Sequence, residues 1–165
     1  MKSVASIPSR IMDLHNLTQE VNRLRLQGKK IGFTNGVFDI LHEGHIASLS
    51  EAASYCDFLI VAVNADASVK RLKGESRPVN HEQARALVLA SLIMVDAVII
   101  FEEDTPRDLI KSLLPDVLIK GGDYTVEQIA GAAEVLANGG SVKLAKIIPG
   151  ISTTGIIAKM KEMKN

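Results

Sequence analysis

Two histidines three residues apart, His42 and His45, flank Gly44 in "FTNGVFDILHEGH", residues 33–45, which also holds Gly36 and Asp39. Imidazole N–H groups can donate to phosphate oxygens, and do so better when negative charge accumulates there during a reaction. The glycines allow a backbone to approach a ligand, and a helix beginning near His45 offers unpaired N–H groups and the positive end of its dipole. The stretch therefore reads as an anion site at a strand-to-helix turn. Asp39 is placed to orient a ring, accept from a substrate hydroxyl or help hold a divalent ion. Rival chemistries lack their fingerprints. "HEGH" spaces its histidines by three rather than the four of H-E-x-x-H, and Gly44 disfavours a continuous helix through a zinc-protease pair. Neither G-x-x-x-x-G-K-[ST] nor G-x-G-x-x-G follows a strand, which sets aside a P-loop kinase and an ordinary dinucleotide dehydrogenase. A helix cap on the surface would explain one histidine, but not two histidines, two glycines and an aspartate within ten residues.

The elements that must position these residues follow from periodicity. Leu14, Leu17, Val21 and Leu24 recur at three- and four-residue steps, as on a helix face, and Gly28 is a plausible stop. "KIGFTN" reads as a strand, "HIASLSEAASY" as a helix, and "FLIVAVNA" as an apolar strand buried on both faces. A polar segment, "SVKRLKGESRPVN", precedes the helix "HEQARALVLASL", for which Asn80 is the candidate cap. The strand "DAVIIF", the helix "PRDLIKSLL", the strand "PDVLIKGG", the helix "TVEQIAGAAEVLANGG" and the strand "SVKLAKII" complete the alternation. A last basic amphipathic helix begins at Ser152 or Thr153. Five strands separated by helices imply an α/β, three-layer Rossmann-like fold with a five-stranded parallel sheet and right-handed crossovers. Ligands of such sheets bind at the carboxyl ends of the strands, beside the point where strand order reverses. The residues leaving the first strand are those that carry both histidines.

Composition bounds the class. The chain has 165 residues, 47% of them apolar, with neither a second core nor a repeat, which fits a single domain over 1–165: a helical segment over 1–28 and a catalytic core over 30–165. Its formal net charge is +0, so no global field draws it to nucleic acid or an anionic membrane, and any polyanion must be held locally. Cys56 is the single cysteine, which excludes an intramolecular disulfide and reads as a buried structural thiol. The first residues, "MKSVASIPSRIMDLHN", lack a continuous apolar core, and no apolar run approaches the ~20 residues that span a bilayer, so the expectation is a soluble cytoplasmic protein.

"GVFDILHEGH" matches the G-x-F-D-x-x-H-x-G-H signature of the nucleotidyltransferase superfamily that includes the cytidylyltransferases, at Gly36, Phe38, Asp39, His42, Gly44 and His45. A second superfamily element, I-S-[ST]-T, appears as Ile151, Ser152, Thr153 and Thr154. From about Lys30 onward, "NADASVKRLKGESRPVN", "FEEDTPRDLI", "PDVLIKGGDY" and "ANGG" make the chain resemble the stand-alone D-glycero-β-D-manno-heptose 1-phosphate adenylyltransferases. The resemblance implies an HxGH-type enzyme in which a sugar 1-phosphate oxygen attacks the α-phosphorus of ATP and pyrophosphate leaves, with Mg²⁺ shared by the triphosphate oxygens. It implies that His42 and His45 stabilise phosphate charge, helped by Lys73 from "RLKG", which stands out among Lys70, Arg71, Lys73 and Arg77. Nucleotide contacts are implied for Thr34, Asn35, Gly36, Phe38, Gly44, Gly121, Asp123 and Ile151–Thr154, and sugar-phosphate contacts for Asp39, Asn64 and Asp66. Metal ligands stay unassigned. The implied partners are ATP and a sugar 1-phosphate, with a homodimer contacting through the first helix as a further option. One departure is visible: glycerol-phosphate cytidylyltransferases carry R-T-x-G-I-S-T, whereas "KIIPGISTT" has Ile147, Ile148 and Pro149 there, leaving Lys146 or a lysine of another loop to replace the arginine. A cytidylyltransferase for another small phosphorylated alcohol and a non-catalytic ATP sensor are the competing expectations.

Overall fold

The computed structural model describes residues 6–122, 124–146 and 150–163. Asp123, Ile147, Ile148 and Pro149 lie outside the described residues. In chain order the elements are α1 (Leu14–Leu26), β1 (Ile31–Gly36), α2 (Glu43–Ala53), β2 (Phe58–Asn64), α3 (Asp66–Lys73), α4 (Glu82–Ala90), β3 (Ala97–Phe101), α5 (Arg107–Leu113), β4 (Val117–Gly121), α6 (Ala132–Ala137), β5 (Ser141–Ala145) and α7 (Thr153–Glu162). The sheet has five strands in the order β3-β2-β1-β4-β5, every pair parallel. Order reverses between β1 and β4, so the crevice opens beside the carboxyl end of β1, where the sequence places it.

Alternation along buried strands builds two cores, one per face. Ile60 and Ala62 of β2 join Leu17, Val21 and Leu24 of α1 and Leu109, Ile110 and Leu113 of α5. Their neighbours Leu59, Val61 and Val63 turn to the other face, against Leu49 and Ala52 of α2 and Ala86 and Leu89 of α4. Helix α1 starts where the Asp13 carboxylate accepts from Asn16 N–H at 2.8 Å and ends before Gly28 at φ +71°. Its apolar stripe packs within the chain: Leu17 and Val21 are buried, each contributing about 1.5–3 kcal/mol relative to exposure.

Three readings need correction. Residues 66–73, of which 68–73 read as the start of a polar segment, form α3: it is only two turns long, with Ser68 and Val69 buried. The helix expected across 125–140 breaks into a 3₁₀ turn, Val126–Gln128, and the short α6, because Gly131 sits at φ +85° between them. Asn80 is not the cap of α4. That position is His81, and the Asn80 side-chain amide instead donates to Asp39 C=O at 2.6 Å. At α7 the reading holds: the helix begins at Thr153, and Ser152 Oγ accepts from Gly155 N–H at 3.1 Å.

Candidate active site

β1 delivers Thr34, Asn35 and Gly36 to the crevice, and the loop after it makes an unusual turn. Phe38 adopts φ +49°, a left-handed conformation that costs a non-glycine residue of order 1–3 kcal/mol and persists only where its surroundings fix it. The fixing groups are on both sides. The Asp39 carboxylate accepts from Arg77 Nε at 2.6 Å, Val79 N–H at 2.8 Å and Asn80 N–H at 2.9 Å, while Arg85 Nη1 donates to Val37 C=O at 2.7 Å. Burial alone would push the Asp39 carboxyl up, but the Asn80 and Val79 N–H groups and Arg77 outweigh it and hold the group below the ordinary carboxylate range.

This turn aims the histidines. The Phe38 ring lies 5.3 Å from that of His45, and a Cβ on residue 36 would come within 3.0 Å of the same ring, which explains glycine there. His42 is the N-cap of α2 with extended backbone. Its C=O accepts from His45 N–H at 2.9 Å, and its ring makes no cap bond. The His42 and His45 rings stack with centroids 3.8 Å apart, and a Cβ on Gly44 would press to 3.0 Å from His42 Nδ1. Nδ1 of both rings is buried without a hydrogen-bond partner. Such atoms are rare in native interiors, and two side by side mark donors kept for something else. Burial, with the charge of His42 second, pulls the His45 pKa down to about 4, so its ring is neutral at pH 7.

A cavity of about 300 Å³ opens here. It brings together nine of the residues singled out in the sequence: Thr34, Asn35, Gly36, Phe38, His42, Gly44, His45, Gly121 and Ile151. A roomier groove of about 480 Å³ beside α6 has Arg107 and Glu134 already paired at 2.7 Å, so volume alone does not mark a site.

Other singled-out residues stand outside the cavity. Asp39 is taken up by the turn. Asn64 donates to Ser68 Oγ at 3.0 Å, and Asp66 pairs with buried Arg85 at 2.7 Å and meets His81 Nδ1 at 3.3 Å. Thr153 Oγ1 donates to Ile40 C=O at 3.2 Å, tying α7 to the histidine loop, and Ser152 caps α7. Thr154 follows in its first turn. Lys73 is exposed at the end of α3, before Gly74. Of its basic neighbours, Arg71 is engaged with Asp104 at 2.8 Å and Arg77 with Asp39. The sequence reading passed over Lys120, Tyr124 and Ser48, which line the cavity, and Arg85, which supports it. Lys120 carries a signal in retrospect: a charged residue inside an apolar strand, directly before two glycines.

Among the described residues no group of three or more His, Cys, Asp or Glu is placed to hold a metal ion. Nor is any described helix long and apolar enough to cross a membrane.

Known proteins resemble this chain in sequence and in fold. The bifunctional protein HldE of Rhodopseudomonas palustris strain TIE-1 is 56% identical over 146 residues, covering 88% of this chain and 30% of that protein. HldE of Rhodospirillum rubrum is 52% identical over 159 residues, 96% of this chain and 32% of that one. The chain thus spans about a third of the length of these curated relatives. Among solved structures, the lipopolysaccharide core biosynthesis protein of Thermoplasma volcanium superposes with a TM-score of 0.59 at 31% identity, over 73% of this chain and 98% of that one. Pantoate-beta-alanine ligase of Francisella tularensis, at 17% identity, a TM-score of 0.60 and 94% and 78% coverage, shares the fold. Residues 33–159 match the cytidylyltransferase-like family model, a span from the first strand through the stacked histidines to the last helix, and the chain belongs to that family.

Proposed function

We propose that the chain is an adenylyltransferase that joins AMP from ATP to D-glycero-β-D-manno-heptose 1-phosphate, giving ADP-heptose and pyrophosphate for surface-polysaccharide synthesis. The observation that carries this reading is the stacked His42–His45 pair, its Nδ1 atoms buried and unpartnered, in a cavity at the strand-order reversal. The choice of sugar follows the resemblance to the heptose 1-phosphate adenylyltransferases, and it is supported by the match to HldE and to a lipopolysaccharide core biosynthesis protein.

The chemistry asked of the protein is positioning and charge stabilisation. A phosphate oxygen of the sugar forms a bond to the α-phosphorus as the α–β anhydride bond breaks, and pyrophosphate carries the charge away. The two imidazoles serve as N–H donors to those oxygens, and the low pKa of His45 keeps its ring neutral. Thr34, Asn35 and the backbone at Gly36, Gly44 and Gly121 shape the nucleotide site, and Ile151 closes one wall, with Ser152, Thr153 and Thr154 at the start of α7 and Asp123 beyond β4. Lys73, exposed and without an ion pair among the described residues, swings over the triphosphate from outside the cavity. Asp39 acts through the turn it holds. ATP enters as its magnesium complex, and its supply puts the reaction in the cytoplasm on this reading.

A pyrophosphate-release assay crossing ATP and CTP with heptose 1-phosphate, glycerol 3-phosphate and no acceptor tests the reading. The expected signal is confined to ATP with the heptose. Turnover of CTP with glycerol 3-phosphate would move the chain to the cytidylyltransferase alternative, and ATP binding without turnover on either acceptor would make it a sensor.

A further inference from the structure

Lys120 is the one lysine or arginine among the described residues that line the cavity, and no described Asp or Glu lines it. It sits near the carboxyl end of β4, after the buried Val117, Leu118 and Ile119. Its ammonium donates to Asn35 Oδ1 at 3.1 Å and lies 5.7 Å from the centre of the Tyr124 ring. Both of these partners are uncharged, and among the described residues no carboxylate comes within ion-pair distance. Burial also lowers its pKa from the ordinary lysine value. A sequestered ammonium with three donors and one neutral acceptor is costly until a counter-charge arrives. Asn35 holds the group at the crevice between β1 and β4, the strands whose reversal forms the site. Across the same cavity stand two histidines with unpartnered buried nitrogens. A cavity lined by donors and lacking described carboxylates is complementary to an anion.

We propose that Lys120 is a phosphate-binding residue of the nucleotide site, its ammonium steered by Asn35 Oδ1 onto a phosphate oxygen of ATP from the β4 side of the cavity. This deepens the proposed function and rests on its nucleotide, not on its sugar. Lys120 is the fixed cation of the site, in contrast to Lys73 outside the cavity.

The test is calorimetric binding of ATP, inorganic pyrophosphate and adenosine to the wild-type chain and to K120Q, K120M and K120R, without any acceptor. In K120Q and K120M the dissociation constants for ATP and pyrophosphate rise at least tenfold while that for adenosine moves less than twofold, and K120R recovers most of the loss. Two neutral variants of different polarity are used so that one failing to fold leaves the other. Parallel loss of adenosine binding, or ATP and pyrophosphate affinities within twofold of wild type, would overturn the assignment. So would an effect confined to the KM for heptose 1-phosphate, which would place Lys120 on the sugar's phosphate. The wild-type pyrophosphate-release assay judges the overall reading separately: ADP-heptose formation with an unaltered K120Q sinks Lys120 alone, and pyrophosphate affinity lost in K120Q without ADP-heptose formation in the wild type sinks the sugar assignment alone.

Discussion

The carboxyl ends of β1 and β2 lie side by side in the sheet, and both carry polar residues that the sequence marks as site candidates. They have opposite fates. Beyond β1, His42 and His45 are half-buried, and their Nδ1 atoms are buried without a partner, whereas at β2 Asn64 is bonded to Ser68, and just past it Asp66 is bonded to Arg85. A polar group whose hydrogen bonds are complete within the chain holds the fold, and one left incomplete is available to a ligand. Proximity to the strand ends is therefore a weaker criterion than hydrogen-bond satisfaction.

The contrast can be broken or sharpened by experiment. The largest effect is expected at the satisfied end. Arg85→Met leaves Asp66, Val37 C=O and Asn80 C=O without their donor, and breaking such a buried pair should cost about 3 kcal/mol in urea unfolding. A cost near zero would mean that the network is ornamental. At the unsatisfied end, His45→Ala should lower turnover at least ~100-fold, the scale of losing a charge-stabilising donor, while leaving the unfolding midpoint near that of wild type. Retained turnover removes the catalytic role. Asp66→Asn should be smaller and of the other kind: a stability loss of about 1.5 kcal/mol, from weakening a hydrogen bond to a charged group, with KM for the sugar phosphate changed less than ~threefold. A tenfold rise in KM at unchanged stability would return Asp66 to the substrate site.

A further effect appears only under acid, in titration. His45 should titrate by NMR at about 4 rather than near 6.5. Because its folded value is the lower one, the unfolded chain binds more protons between those two pH values, so stability falls as pH drops through that window and is level above it. His45→Gln should flatten that part of the acid-stability curve.

The sequence made the sheet legible because its strands are buried on both faces and announce themselves as apolar runs such as "FLIVAV". The switch point followed from β1 coming first, and the histidine loop from type and spacing. What stayed hidden has physical reasons. Helix α3 is eight residues long and carries Lys70, Arg71 and Lys73 in its last turn, so it reads as a charged loop. Gly131 divides what reads as one helix through its positive φ, which composition does not reveal. Asp39 and Arg85 reach partners 38 to 48 residues away, and such pairings exist only once the chain has folded. Lys120 was passed over because a lysine near the end of a strand usually faces solvent, and only its place in the cavity wall beside Asn35 distinguishes it.

The bond from Thr153 to Ile40 spans 113 residues and joins the last helix to the histidine loop. On the ribosome, the histidine turn is therefore synthesised long before the wall that confines it. Until Ile151 and Thr153 have been added, the cavity lacks one of its walls and the histidine loop lacks its tie to α7.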